Sequence, residues 1–282
     1  MLIFSSKKVL ISHLSAFKHA SNSLGMVPTM GALHKGHLAL VKKAISENDA
    51  VVVSIFVNPT QFDNKDDLKK YPSTLDTDLE YLKSISDELI VFTPSVTDLY
   101  SKNIKSKEYE FNGLDKRMEG EFRSNHFSGV ATVVEKLFSI VKPNRAYFGE
   151  KDFQQLLIIK KLVQKMNIPI EIIGCPIVRE PGGLAMSSRN ERLPESLRNR
   201  ASFIYKTLIS AKKIFGMKSA QYVRNWVQNK FDDASDFDLE YIEICDQETL
   251  IPVKRKQKNT KYRAFIAVYI SGVRLIDNIA LN

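Results

Sequence analysis

Apolar residues in the first two-thirds of the chain switch repeatedly between two spacings. Short continuous apolar runs alternate with stretches whose apolar positions recur every three or four residues. The runs at 24–27, 50–56, 88–92, 145–148 and 170–174 predict strands, and residues 37–47, 74–84, 130–141 and 152–166 carry the helical period. The run Ala50-Val51-Val52-Val53-Ser54-Ile55-Phe56 barely alternates with polar positions, the pattern of a strand buried on both faces. Asn58-Pro59 ends that strand and Pro143 stops the helix before residue 145. A Ser73/Thr74 cap followed by acidic residues marks the start of the helix at 74. Strands alternating with helices predict an α/β fold, a Rossmann-like parallel sheet with helices on both faces. Ligands of such sheets collect at the carboxyl ends of the strands.

The order changes after about residue 180. Residues 194–215 and 219–231 read as helices, and 239–245, 262–270 and 273–277 as strands. Helices followed by strands predict a smaller C-terminal α+β domain with an antiparallel sheet. The expected division is therefore a nucleotide- and substrate-binding domain over 1–178 and a lid domain over 179–282.

Length and composition fit this picture. A chain of 282 residues suits one large and one smaller domain, and 44% apolar residues is ordinary for a globular protein. No run is apolar enough for long enough to span a bilayer. The segment Val9 to His13, after Lys7 and Lys8, is too short and polar for a signal peptide, so a cytoplasmic protein with no membrane partner is expected. Cys175 and Cys245 are far apart, lack metal-ligand spacing and read as reduced buried thiols. The net charge of +9 is spread along the chain, with small clusters at Lys69-Lys70, Lys160-Lys161, Lys212-Lys213 and from Lys254 to Lys261, the last as a hairpin loop. Basic and aromatic residues do not interleave, so nucleic acid is not an expected partner.

Four segments at predicted strand ends or at the domain boundary carry chemistry. In the first, Pro28 to His37, a strand and a Met30-Gly31 turn lead to His34-x-Gly36-His37 at the start of a helix. Helix N-terminal amides and the positive end of the helix dipole attract phosphate there, and imidazoles can donate to oxygens gaining charge. The second is Phe56 to Phe62, where Asn58 suits a turn and Gln61, with no turn role, reads as a polar substrate contact. The third is Phe148 to Gln155. Lys151 can neutralise phosphate, and Asp152 can cap the helix or accept from ribose hydroxyls. The fourth is Met186-Ser187-Ser188-Arg189-Asn190, two hydroxyls and a guanidinium that make a phosphate clamp. Pro181-Gly182-Gly183 before it reads as a flexible, closing loop. No Walker A pattern or nucleophile–base triad is present.

These strings, with Tyr71-Pro72 and the closing Arg274-Leu275-Ile276-Asp277-Asn278, resemble the pantoate–β-alanine ligases of the H-x-G-H nucleotidyltransferase superfamily. The resemblance runs from about residue 22 to the C-terminus. It implies that ATP with Mg²⁺ and (R)-pantoate form pantoyl adenylate and pyrophosphate, and that β-alanine then yields pantothenate and AMP. By matching positions, His34, His37 and Lys151 would carry catalysis. Met30, Gly31, Ala32, Leu33, His34, Lys35, Gly36, His37, Gly149, Glu150, Lys151, Asp152, Val178, Met186, Ser187, Ser188 and Arg189 would line the ATP site, Val178 through its backbone. Gln61 and Gln155 would hold pantoate, and Gln61 would also place β-alanine. The family pattern assigns no protein metal ligand here, and family members are usually homodimers joined through the N-terminal domain. Where the family often has Arg-Pro-x-His-Phe-Arg-Gly-Val, this chain has Arg123-Ser124-Asn125-His126-Phe127-Ser128-Gly129-Val130, and Gly182-Gly183 stands for a usual Asp-Gly. A different H-x-G-H nucleotidyltransferase, acting on a phosphorylated second substrate, would need an anion site where Gln61 and Gln155 are neutral. An RNA-binding protein would instead rely on the net charge.

Overall fold

Residues 1–18, 22–62, 68–69, 71–101 and 103–282 are described by the structure, a computed structural model; Lys70 of the Lys69-Lys70 pair lies outside them. Internal contacts divide the chain into a first unit, Met1–Glu150 with Gln154–Pro176, and a second, Lys151–Phe153 with Ile177–Asn282.

The apolar runs of the first unit become the strands β1 (Leu2–Phe4), β2 (Leu24–Thr29), β3 (Ala50–Ile55), β4 (Ile90–Phe92), β5 (Arg145–Gly149) and β6 (Glu171–Cys175). They form one sheet in the order β1-β4-β3-β2-β5-β6, and every pairing is parallel. Its helices are α1 (Lys7–Lys18), α2 (Lys35–Glu47), α3 (Leu75–Lys83), α4 (Val96–Tyr100), α5 (Glu119–Phe122), α6 (His126–Val141) and α7 (Phe153–Lys165). Val27, Val51, Val53, Val91 and Tyr147 form one cluster with Leu40, Val41 and Ala44 of α2 and Leu82 of α3. Their sequence neighbours Met26, Val52, Phe92 and Ala146 are fully buried too and turn to the opposite face by the two-residue strand period. There α6, which contributes nothing to the first cluster, packs against β2, and α1 packs against α6. Helices thus cover both faces, as the unalternating run at 50–56 predicts.

Strand β1, helix α1 and the short helices α4 and α5 lie outside the sequence expectation. Strand β1 has Leu2 and Ile3 half exposed at the sheet edge, and Val9 and Ile11 of α1 are also exposed, so neither shows a clean period. Helix α6 starts at His126 rather than Val130, after Asn125 in the left-handed conformation. Thr74 does stand at the N-cap of α3, but its side chain makes no cap bond; the hydroxyl donates instead to Asp78 Oδ1 at 3.3 Å. Both cysteines are free and buried, and burial pushes the Cys175 thiol up to about 11, where it is unreactive.

The second unit contains α8 (Glu195–Arg200), α9 (Ser202–Met217), α10 (Ala220–Asp232), β7 (Phe237–Asp246), β8 (Tyr262–Ile270) and β9 (Val273–Ala280). The helix predicted over 194–215 is interrupted at Ala201, giving α8 and α9. The strands make an antiparallel sheet in sequence order. One face carries Ile242, Ile244, Ala264, Ile266, Val268 and Leu275 into a core with Ile204, Leu208 and Phe215 of α9 and Val223, Val227 and Phe231 of α10. The lysine-rich stretch 254–261 lies between β7 and β8, the connecting loop its composition predicts.

Candidate active site

The centre of the first sheet sets the location. Strand β2 pairs with β3 on one side and β5 on the other, and the chain runs outward from β2 through β3 to β4 before returning at β5. That reversal is a topological switch point, where loops at adjacent strand ends part and leave a crevice. The loops leaving β2, β3 and β5 carry Met30 to His34, Asn58 to Gln61, and Gly149 with Glu150.

The loop after β2 is shaped by a carboxylate. Gly31 has φ +84°, and a Cβ there would lie 3.0 Å from Asp78 Oδ2. Ala32 is also left-handed, with φ 49°, a strained position for a residue with a Cβ. Asp78, on α3, is 1% exposed. Its Oδ2 accepts from the Ala32 amide at 2.9 Å and its Oδ1 from the Leu33 amide at 2.7 Å. Burial raises the Asp78 carboxyl above its ordinary range, and the two amide bonds oppose that rise. Asp78 is therefore spent on holding the loop. Its hold on the loop is not visible in the sequence, because its partners lie forty-five and forty-six positions away.

Beyond this loop α2 begins, with His34 as its N-cap. His34 Nδ1 accepts from the Gly36 amide at 3.1 Å, and His37 Nδ1 accepts from the His34 amide at 3.3 Å. This is a reciprocal capping box in which two imidazoles replace the usual hydroxyl and carboxylate. With both Nδ1 lone pairs engaged, the neutral rings carry their protons on Nε2. The ring centroids are 4.1 Å apart. The pair thus places two imidazoles, held through their Nδ1 atoms, at a helix N-terminus, where the dipole favours anions.

Gln61 lies in a 3-10 turn, Pro59–Gln61, after β3. Its Nε2 donates to Met30 Sδ at 3.1 Å, so a residue expected to bind pantoate touches one expected to line the ATP site. Asn58 is 1% exposed and structural: Nδ2 donates to Gln61 Oε1 and to the Gly129 carbonyl, and Oδ1 accepts from the Tyr100 hydroxyl at 2.6 Å. Burial raises the Tyr100 phenol, keeping it a neutral donor. Behind Gln61, His126 Nδ1 donates to the Gln61 carbonyl at 2.9 Å, and Arg123 donates to His126 Nε2 at 3.2 Å. Tyr100, Arg123 and His126 were not recognised as support for Gln61; the Arg123 to Val130 string was the available signal. Gln155 is half-buried in the first turn of α7, and Glu150 is half-buried in the 3-10 turn after β5.

In the second unit, Lys151 Nζ pairs with Asp152 Oδ1 at 3.1 Å. Val178 and Met186 meet as a hairpin pair, the Met186 amide donating to the Val178 carbonyl at 3.0 Å. Pro181-Gly182-Gly183, read as a flexible loop, is a hydrogen-bonded turn: the Gly183 amide donates to Glu180 O and the Glu180 amide to Leu184 O. Ser187 Oγ accepts from the Arg189 amide at 3.3 Å and caps the following 3-10 turn. Asn190 secures that turn by donating to Ala185 O and to Glu180 Oε1.

Among the described residues, no three His, Cys, Asp or Glu side chains are grouped to hold a metal ion. None of the helices among the described residues is long and apolar enough to cross a membrane.

Comparison with known proteins agrees over the whole length. The sequence model of the Pantoate-beta-alanine ligase family matches residues 2–280. The chain is 53% identical over 282 residues to a pantothenate synthetase of Christiangramia forsetii, covering 100% of both chains. It is 53% identical, with the same coverage, to one of Flavobacterium psychrophilum. A crystal structure of pantothenate synthetase from Thermus thermophilus superposes with a TM-score of 0.91 at 37% identity, covering 100% of this chain and 99% of that one. A Francisella tularensis pantoate-beta-alanine ligase, complexed with beta-gamma ATP and beta-alanine, gives 0.80 at 39% identity, covering 100% and 98%. With a family match that runs nearly end to end, and relatives of this identity aligned over the full chain, the protein belongs to the pantoate–beta-alanine ligase family.

Proposed function

We propose that this protein condenses (R)-pantoate with β-alanine at the expense of ATP. A pantoate carboxylate oxygen attacks the α-phosphorus and expels pyrophosphate, giving pantoyl adenylate. The β-alanine amine then attacks the acyl carbon, loses a proton and displaces AMP, leaving pantothenate. The observation that carries this reading is the paired imidazoles fixed at the N-terminus of α2, on a loop whose Met30 touches the neutral amide of Gln61. Phosphate chemistry and a small uncharged-donor site for a carboxylate thus lie on adjacent strand ends.

His34 and His37 stabilise phosphate oxygens as they gain charge, and Lys151 neutralises the phosphate chain. No covalent protein intermediate is required, because positioning and charge stabilisation supply the acceleration. Met30 to His37, Gly149 to Asp152, Val178 and Met186 to Arg189 bind the nucleotide, Val178 through its backbone. Gln61 and Gln155 hold pantoate, and Gln61 also places β-alanine. Mg²⁺ would enter with ATP and be held mainly through the phosphates and water, where it would neutralise phosphate charge. The enzyme works in the cytoplasm as a homodimer joined through its N-terminal domain.

Product analysis tests the reaction. Purified protein with ATP, Mg²⁺ and pantoate releases AMP and pantothenate in equal amounts when β-alanine is present, and turns over little without it. Folded protein that yields ADP, or no amide product, contradicts the assignment.

A further inference from the structure

The closing string Arg274 to Asn278 is assigned no task by the reaction above, yet Asn278 is only 2% exposed and Asp277 is buried beside it. Both polar residues lie near the end of β9, where Asn278 stands opposite Phe265 of β8. Buried amides and carboxylates are kept where their hydrogen bonds are satisfied, so their partners reveal what they hold.

Asn278 Nδ2 donates to the backbone carbonyl of Lys151 at 2.9 Å. Its Oδ1 accepts from the Arg263 guanidinium, which in turn lies 3.9 Å above the ring of Phe153. The Asn278 amide is thus clamped at one end and grips Lys151 at the other. Asp277 reaches a different segment. Its two oxygens accept from Arg179 at 2.6 and 2.9 Å, a bidentate pair of the geometrically restrictive kind. Arg179 also donates to Gly183 O and stacks on Tyr205, 3.6 Å from the ring centroid. It sits at the base of the hairpin whose far strand runs into Met186 to Arg189, bridged to Ala185. Two neighbouring residues therefore fasten the two segments of the second unit that carry Lys151 and the Ser-Ser-Arg turn.

We infer that Asn278 and Asp277 are positioning residues for adenylation, Asn278 fixing the backbone from which Lys151 reaches the phosphates and Asp277 fixing the base of the Ser187–Arg189 hairpin. The inference rests on the assignment of Lys151 and Ser187 to Arg189 to the nucleotide. A lysine is a flexible point charge, and its placement is only as good as that of its backbone. A misplacement on the order of an ångström can cost about a hundredfold in rate.

A double-substitution cycle tests this on the full-length enzyme. Asn278→Asp keeps an acceptor for Arg263 but sets an oxygen against the Lys151 carbonyl. It lowers kcat for AMP release by about tenfold or more with circular dichroism unchanged, as expected of an interaction realised in the transition state. Added to Lys151→Ala, it lowers kcat by less than about twofold further, because residues acting as a unit are not additive. Asp277→Asn raises KM for ATP more than KM for pantoate. If Asn278→Asp fails to fold, Asn278→Ser, which deletes both bonds without adding charge, takes its place in the cycle. Full activity in the folded Asn278 variant, or a loss that multiplies with that of Lys151→Ala, overturns the inference. A fully active Lys151→Ala overturns the lysine's assignment itself and the inference with it, a result distinct from the other two.

Discussion

Replacing His37 by alanine lowers kcat by about a hundredfold or more, the usual cost of losing one preorganised donor to a developing charge. The fold survives. His37 Nδ1 accepts from the backbone amide of His34, and losing such a cap contact costs about 1 kcal/mol. The helix it serves is anchored independently by Leu40, Val41 and Ala44 in the core. The two effects separate cleanly: steady-state turnover collapses while the thermal midpoint moves by a few degrees. His37→Asn can restore the acceptor for the His34 amide but does not place a donor where Nε2–H stood, so it recovers stability and little activity. A variant that unfolds as it loses activity would make His37 a cap and nothing more. Near-wild-type turnover would remove it from the chemistry.

Gly129→Ala has a large expected effect on stability. Gly129 is in the first turns of α6, and a Cβ there would lie 2.3 Å from the Thr60 carbonyl oxygen and 2.7 Å from Gln61 Cα. Both obstacles are backbone, so no side-chain rotation relieves them. The close approach also lets Asn58 donate to the Gly129 carbonyl at 3.1 Å. Overpacking of this kind costs about 1–3 kcal/mol, and more where backbone must move. The element displaced carries Gln61, so the KM for pantoate should rise with the loss of stability while ATP binding changes less. Thermal unfolding and substrate titrations on one preparation read both effects. An unchanged midpoint would mean that α6 and the 59–61 turn have room the structure does not give them.

The sheet was legible because its signals are local. A run such as Ala50 to Phe56 shows burial on both faces without reference to the rest of the chain, and Gly-containing strand ends mark where loops begin. Gln61 drew notice because it follows a strand end with no evident turn role, and His34-x-Gly36-His37 because a strand and a Met-Gly turn lead into it at the start of a helix. What escaped the sequence was support across long separations. Asp78 holds amides on another loop, Tyr100 reaches Asn58 over forty-two positions, and Asn278 reaches Lys151 over one hundred and twenty-seven. Such contacts depend on which strand ends the topology brings together, and no spacing encodes that. Pro181-Gly182-Gly183 reads as a loose loop from its composition, and the turn that backbone bonds and Arg179 close there depends on partners its spacing does not encode. The edge elements β1 and α1 were missed because half-exposed apolar positions hide their periodicity.

Activation of pantoate through its carboxylate at the α-phosphorus of ATP leaves an isotopic trace in the nucleotide. The most direct test uses pantoate labelled with heavy oxygen in the carboxylate, turned over with ATP, Mg²⁺ and β-alanine, with mass analysis of the nucleotide product. An acyl adenylate breaks between carbonyl carbon and bridging oxygen when the amine attacks, so each AMP formed is expected to carry one labelled oxygen. AMP without label, or label appearing in inorganic phosphate beside ADP, would contradict it.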